Sequence, residues 1–267
     1  MEKSNHVLSF LKKKLRHFQW RKQIGGGMKY AILSDIHSNL EALSGAIAEI
    51  DTRKVDHIIC LGDVVGYGAN PSECLRMVTN QTKEIIMGNH DQAVEDVELR
   101  NYFNDWAKTA IEWTAQKLTP EEKHKIRSFS PIVIDQKANV TWSHSSIHEP
   151  DEFHYLFQIS DTDPSFKKLE TSFGFFGHTH IPSLFSLKEK ESRYLPAGKY
   201  QLSKNERYLI NPGSVGQPRD RNPKLSFALF DSNELVLEII RLDYDNRKAA
   251  DKIRKAGLPA YLADRLL

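Results

Sequence analysis

The sequence predicts one α/β (α+β) domain in which two β-sheets pack together with helices outside. Three observations carry this. Residues 29–87 alternate short apolar runs with amphipathic stretches, in strand–helix–strand–helix–strand order. From Ile132 the chain turns β-rich, with short strands separated by turn residues such as Asp231-Ser232-Asn233. The 267 residues, 40% of them hydrophobic and without internal repeat, suit one large core with extensions.

Lys29–Ser34 begins the body as a buried strand, Tyr-Ala-Ile-Leu before a polar end. Leu40, Leu43, Ile47 and Ile50 then share one helical face. His57–Leu61 is a second buried strand, and a loop with Gly66, Gly68 and Pro71 leads to a helix through about Val78. Glu84–Met87 reads as a third strand. Strands and helices in this order imply parallel pairing, with right-handed crossovers placing the strand ends on one edge, where ligands bind. Residues 92–129 read as helical, with Trp106, Ala110, Trp113 and Leu118 suggesting a packing face. Ile132–Asp135 and Val140–Ser143 form a hairpin around Lys137-Ala138-Asn139. Phe173–Phe176, Ser183–Lys188, Arg207–Ile210, Leu225–Phe230 and Glu234–Leu242 follow as strands. Asn246–Leu267 reads as one or two helices broken near Gly257-Leu258-Pro259.

The net charge of +2 is unevenly spread. Residues 1–24 hold seven Lys or Arg and one acid, a net of +6, which leaves −4 for the remainder. An acidic body does not present an extensive nucleic-acid surface. Leu8, Leu11, Leu15 and Phe18, interleaved with lysines, form an amphipathic pattern over residues 7–20. A basic extension is the preferred reading there, with contact to an anionic membrane surface behind it. Residues 1–27, closed by Gly25-Gly26-Gly27, are thus set apart from a main domain of 28–267 with C-terminal helices at 246–267. Met28 stands so close to the first strand that it is a candidate for the true start. No apolar run reaches the roughly 18 residues a membrane span needs. Cys60 and Cys74 form no metal pattern, and a buried, reduced thiol in a cytoplasmic protein is the expectation.

Four clusters carry the chemistry: Asp35-Ile36-His37, Gly62-Asp63, Gly88-Asn89-His90-Asp91 and Gly177-His178-Thr179-His180, with His144 between the last two. Each follows an apolar run. An Asp or Asn in that place is individually a common turn former or cap, and a lone His is commonly structural. Together they offer enough oxygen and imidazole donors for two ions of a borderline metal such as Mn, Fe, Ni or Zn. Asp35, His37, Asp63 and His180 serve one ion; Asp63, Asn89, His144 and His178 serve the other.

The set resembles the calcineurin-like metallophosphoesterase family, whose pattern D-x-H, G-D, G-N-H-D/E, a later H and G-H-x-H is matched residue for residue by these clusters. The segment Asn211-Pro212-Gly213-Ser214-Val215-Gly216-Gln217-Pro218-Arg219 further resembles the small bacterial and archaeal YfcE-like phosphodiesterase branch. Ser145 departs from the glycine many relatives carry after the histidine. The resemblance implies a calcineurin-like four-layer sandwich and two divalent metal ions, manganese first. The expected activity is hydrolysis of a phosphodiester or phosphomonoester of a small molecule or nucleotide, by attack of a hydroxide bridging two ions about 3.5–4 Å apart.

His90 lies outside both ligand sets and is expected to steady the phosphate or protonate the leaving oxygen, with Asp91 fixing its tautomer and raising its pKa. Arg219, Tyr67 and Asn211 are the expected substrate-binding residues. A non-catalytic scaffold, as in the retromer scaffold subunit, is the alternative, but such proteins usually alter catalytic positions, and here the metal set and His90 are intact. A protein phosphatase or nuclease is less favoured: no arginine accompanies Gly88–Asp91, and the body is acidic. Homo-oligomerisation is left open.

Overall fold

The computed structural model describes residues 27–267, so the basic segment, the first glycines of the joint and the reading of residues 7–20 lie outside it. Strand β1 (Lys29–Leu33) pairs in parallel with β2 (His57–Cys60), across the helix α1 (Leu40–Thr52) that joins them. After Lys29 the β1 run is apolar because both faces are covered. Tyr30 and Ile32 point to one hydrophobic cluster, and Ala31 and Leu33 to another. Asn39 caps α1 by accepting from the amide of Ala42, and Ala42, Leu43, Ala46, Ile47 and Ile50 form its buried stripe. Helix α2 (Pro71–Gln81) follows, with Pro71 in its first turn, and extends three residues past Val78.

The expected third strand is reduced to isolated bridges, Ile85 beside Cys60 and Ile86 beside Ser130. The segment is wedged between β2 and residue 130, and its pairing stops where the chain turns at Gly88 into the short helix α3 (Asn89–Ala93). A 3-10 turn (Leu99–Tyr102), α4 (Asp105–Lys117) and α5 (Pro120–Ile126) complete the helical stretch. The packing face of α4 is Ala107, Ala110, Ile111 and Thr114 rather than one including Trp106, which is half-exposed and stacks on Tyr261 at 4.1 Å.

The β-rich half follows the expected order: β3 (Ile132–Asp135), β4 (Val140–Ser143), β5 (Phe173–Phe175), β6 (Ser183–Ser186), β7 (Glu191–Tyr194), β8 (Gly198–Gln201), β9 (Tyr208–Asn211), β10 (Leu225–Asp231) and β11 (Val236–Leu242). Strands β7 and β8 escape prediction because Glu-Ser-Arg-Tyr and Gly-Lys-Tyr-Gln carry no apolar alternation; both are largely exposed. Helix α6 (Ile159–Lys168) escapes it too, being polar and containing Pro164. Helices α7 (Asn246–Lys255) and α8 (Ala260–Asp264) break at 256–259, as expected.

One sheet runs β2-β1-β10-β11-β8 and the other β3-β4-β5-β9-β6-β7. Only β1–β2 is parallel in the first sheet; β4–β5–β9 are parallel in the second. The inner faces meet in an aromatic layer where Trp142 lies 5.4 Å from Tyr30 and 5.0 Å from Phe175, and Phe175 lies 5.4 Å from Phe230. Each such ring, fully buried, contributes about 1.5–3 kcal/mol. Helices α1 and α2 cover the outer face of the first sheet. Phe166 and Leu169, at the end of α6, cover Phe185 and Leu209 of the second. The result is the expected four layers. Both cysteines are buried and free, and among the described residues no helix is long and apolar enough to cross a membrane.

Candidate metal centre

The carboxyl ends of β1, β2, β4 and β5 lie side by side, and the residues just beyond them carry the predicted donors. Loops 35–38 and 62–65 are zipped together: the amides of Asp35, His37 and Ser38 donate to the carbonyls of Gly62, Asp63 and Val64 at 2.9–3.0 Å. The amides of Val215 and Gly216 donate to the carbonyls of Ser34 and Asp35, and that of Gly177 to His144. This lattice holds Asp35, His37, Ser38, Asp63, Tyr67, His178 and His180 all in left-handed backbone conformation, with φ between 48° and 66°. Such φ values are uncommon for residues with a Cβ, cost of order 1–3 kcal/mol each, and gather at functional sites.

Two glycines make the close approach possible. A Cβ on Gly88 would lie 2.1 Å from Oδ1 of Asp63, and one on Gly177 would lie 1.9 Å from Oγ of Ser34. Each glycine of the Gly-Asn and Gly-His dipeptides therefore leaves space for the residues that hold the neighbouring cluster.

Two buried donor groups result. Asp35, His37, Asp63 and His180 form one; Asp63, His144 and His178 form the other, with donor atoms within 4.8 Å of one another in each. Asp63 belongs to both. Its Oδ2 lies 3.5 Å from Nε2 of His37 and 3.5 Å from Nε2 of His144. Nε2 of His180 is 3.3 Å from Oδ1 of Asp35, and Asn89 brings Oδ1 to 3.3 Å from Nε2 of His144. All seven predicted ligands are thus gathered at one place.

Tautomers decide what this place can hold. The Nδ1 of His37 faces the carbonyl of Val65 at 3.3 Å, that of His144 faces Leu61 at 2.8 Å, and that of His180 faces Gln217 at 2.6 Å. A carbonyl only accepts, so each Nδ1 carries the proton and donates it. In the neutral ring each Nε2 is then the nitrogen that can offer a lone pair inward, the arrangement typical of metal-ligating histidine. Nε2 of His37 and His180 then sit 3.1 Å apart, and Nε2 of His178 has no hydrogen-bond partner among the described residues. Facing lone pairs and an orphaned buried nitrogen fit a cation between them, so the residues present suit divalent metal ions.

The electrostatics of the metal-free site agree. Burial pushes the imidazoles of His37, His178 and His180 well below the usual histidine range, so they stay neutral. Burial also resists charge on His144, but the carboxylate of Asp63 outweighs it and carries His144 up to about 9. Asp63 is likewise opposed by burial, yet its histidine neighbours, His144 foremost, hold it well below the usual carboxylate range. Because a ligating imidazole must be neutral, metal uptake at neutral pH should displace the His144 proton. The expected outcome is an apparent metal affinity that rises with pH up to about 9. Calorimetric titrations in buffers of differing ionisation enthalpy read that proton release directly; a buffer-independent heat would contradict it.

The remaining predicted residues divide. His90 is buried beside the clusters, with rings of Tyr67, Phe103 and His37 at 4.3, 4.7 and 4.8 Å. Asp91 does not orient it. The Asp91 carboxylate accepts instead from the amides of Val64, Val65 and Gly88, so its work is to fasten loop 62–65 to the start of α3. Nor does Asp91 raise the His90 pKa: burial takes His90 down to about 4, and its Nδ1 has no hydrogen-bond partner among the described residues.

Asn211 is engaged within the fold. It is fully buried, its amide donating to the carbonyl of Gly177 and to Oγ1 of Thr179, so it braces the His178 loop. Tyr67 and Arg219, by contrast, meet at the entrance, with a guanidinium nitrogen donating to the phenol oxygen at 3.4 Å. Both line a cavity of about 90 Å³ whose floor is Asp63, Asn89, His90, His178 and His180. Tyr102, Phe103, Asn104, Ala107 and Tyr155 complete its lining. Sequence reading missed Tyr102 and Tyr155, which sit in stretches without periodicity; only their aromatic character could have signalled them.

A family model described as the calcineurin-like phosphoesterase superfamily domain matches residues 28–235. Over 242 residues the chain is 40% identical to the uncharacterized protein MJ0912 of Methanocaldococcus jannaschii, a match covering 88% of this chain and 96% of that one. The crystal structure of a metallophosphoesterase from Sphaerobacter thermophilus is similar with a TM-score of 0.80 at 32% identity, covering 90% of this chain and 98% of that chain. The hypothetical protein PH1004 of Pyrococcus horikoshii shares the fold, with a TM-score of 0.73 at 21% identity over 89% of this chain and 97% of that chain.

Proposed function

The chain belongs to the calcineurin-like phosphoesterase superfamily and is a metal-dependent phosphoesterase; from that premise we propose that it hydrolyses a small phosphoester, in the first place a phosphodiester, at two divalent ions sharing Asp63. The observation that carries this is the pair of buried donor groups meeting at one carboxylate, with histidine lone pairs directed inward. Asp35, His37, Asp63 and His180 would hold one ion; Asp63, Asn89, His144 and His178 the other. Bound there, such ions supply Lewis-acid chemistry, acidifying a water nucleophile and offsetting charge on the phosphoryl oxygens. Manganese is the first ion to test, and the mixed oxygen and imidazole set also accommodates Fe, Ni or Zn.

The chain's own residues supply the rest. Neutral His90, at the cavity floor, donates a hydrogen bond to a phosphoryl oxygen; with a pKa near 4 it is poorly suited to act as a charged acid at neutral pH. Arg219, half-buried and held against Tyr67, offers its guanidinium to the phosphate. The modest cavity volume supports a small substrate over a phosphoprotein segment. Residues 28–267 form the catalytic domain in this proposal, beginning where the family match begins. A cytoplasmic setting is supported by the two free, buried thiols.

The test is metal analysis of the purified protein, followed by hydrolysis of bis- and mono-p-nitrophenyl phosphate with added manganese. The expected outcome is manganese-dependent turnover with the diester preferred. A protein inert with every divalent metal would instead be the scaffold that the same fold can provide.

A further inference from the structure

Arg219 is the only lysine or arginine lining the cavity above the metal centre. Its printed neighbours are neutral. The guanidinium reaches Oε1 of Gln217 at 3.2 Å and the Tyr67 phenol at 3.4 Å, and lies 5.9 Å from the centre of the Tyr67 ring. It takes no part in the ion pairs of the described residues, although an aspartate follows it directly in the chain.

That aspartate is engaged elsewhere. Oδ2 of Asp220 pairs with the guanidinium of Arg241, on β11, and accepts from the Tyr194 phenol, at the end of β7, at 2.8 Å. Both charged side chains are only 4% exposed. Strand β11 belongs to one sheet and β7 to the other, so this carboxylate ties the two sheets together at the border of the site. Nη1 of Arg241 also donates to the carbonyl of Lys224 at 2.9 Å, closing the loop 220–224. Oδ1 of Asp220 and Nε of Arg241 have no hydrogen-bond partner among the described residues.

Such a pair is poorly explained as a stabilising device. Desolvating two charges offsets most of their attraction, and well-packed apolar residues often do as well. What the pair decides is the direction of a loop. Backbone bonds hold this stretch lightly: the Arg219 amide donates to the His180 carbonyl at a long 3.3 Å, and the Lys224 amide goes to a side chain, Oδ1 of Asn222. Asp220 points into the body and Arg219 into the cavity, as successive side chains of extended chain do. Arg241 also occupies the carboxylate nearest to Arg219 in sequence, which leaves the Arg219 charge for an anion.

We propose that Asp220 is a positioning residue for Arg219: held by Arg241 and Tyr194, it fixes the loop so that the Arg219 guanidinium faces the phosphoryl site without a carboxylate partner. This rests on Arg219 being a phosphate-binding group at the centre described above.

Calorimetric binding of inorganic phosphate to the manganese-loaded full chain tests this without turnover, with KM and kcat for bis-p-nitrophenyl phosphate measured beside it. Arg219→Ala sets the scale and should weaken phosphate by about tenfold or more, the worth of a charge-assisted hydrogen bond. Asp220→Leu combined with Arg241→Met removes the pair without leaving a lone buried charge, so the fold should persist in a thermal melt. This double variant should also lose about tenfold in phosphate affinity, with KM raised, kcat little altered and metal content unchanged. Adding Arg219→Ala to it should have no further effect, because both changes remove one contact. Arg241→Lys keeps Asp220 paired and should recover most of the affinity.

Unaltered phosphate affinity in the double variant would overturn the proposal, as would losses that multiply when Arg219→Ala is added. If the double variant does not fold, Tyr194→Phe decides. Its ring is 46% exposed, so the change is mild, and one hydrogen bond fewer on Asp220 should weaken phosphate by about two- to tenfold; unchanged affinity would overturn the proposal. The two readings fail separately. A loss with Arg219→Ala and none with the pair removed sinks the positioning alone. Coupled losses in a protein that hydrolyses nothing support the positioning and count against catalysis. If Arg219→Ala leaves phosphate binding unchanged, Arg219 is no phosphate ligand and the positioning falls with it.

Discussion

Replacing Asp63 by Asn is expected to reduce bound metal from two ions per chain to one or none, and to lower manganese-dependent turnover by more than about a hundredfold, beyond the 10–100-fold typical of an outer-sphere partner. The reason is position. Asp63 is the only residue common to both donor groups, and its Oδ2 is equidistant, at 3.5 Å, from Nε2 of His37 and of His144. An amide keeps an acceptor for the backbone N–H of His90, which donates to Oδ1 at 2.9 Å, so the start of α3 stays anchored. What the substitution removes is the negative charge. Without it His144 loses the partner that carries its pKa up to about 9 against the effect of burial. In the metal-free variant the His144 resonance should therefore titrate well below that value. Metal analysis, turnover and an NMR titration read the three consequences. Two retained ions in the variant would show that Asp63 is not the shared ligand.

His90→Ala should leave metal content unchanged while turnover falls by about ten- to a thousandfold, the range seen when a single transition-state donor is lost. His90 belongs to neither donor group, so its loss removes no ligand from either. Its ring is nevertheless enclosed by Tyr67, Phe103 and His37, and truncation leaves a void that should destabilise the fold by about 1–3 kcal/mol. A thermal melt is therefore part of the measurement, to separate lost chemistry from lost packing. His90→Asn retains an amide donor and should recover part of the turnover. Unchanged turnover in His90→Ala, with metal still bound, would remove His90 from the mechanism. The pocket for this ring is built in: a Cβ on Gly66, itself at φ +90°, would come within 2.4 Å of the His90 Nδ1.

Much of the site was legible because its donors are written locally. An Asp or His just past an apolar strand needs no distant information to be placed at a strand end, and the crossover rule sets the parallel ends of one sheet on one edge. The glycines beside the donors were legible too, though not their function. What was not legible was a side chain's partner. Asp91 stands next to His90 in sequence, but its oxygens reach the amides of Val64 and Val65, 27 and 26 residues away in the chain. Asn211 sits in a glycine-rich loop that suggested ligand contact, yet its amide is consumed by Gly177 and Thr179. Polar edge strands and a proline-containing helix left no periodic trace to read.

The sequence by itself determined the fold class, the family resemblance and the identity of the donors, because those depend on residue type and on short-range spacing. Only the tertiary structure decided that His37 and His180, 143 residues apart, bring their Nε2 atoms to 3.1 Å, and that the carbonyls of Val65, Leu61 and Gln217 hold each imidazole in the tautomer that points a lone pair inward. It also decided that Tyr102 and Tyr155 share the mouth of one cavity. The physical reason is the same in each case: a hydrogen bond, a coordination sphere or a ring stack is fixed by distances of a few ångströms between atoms, and the spacing of residues along a chain does not contain those distances.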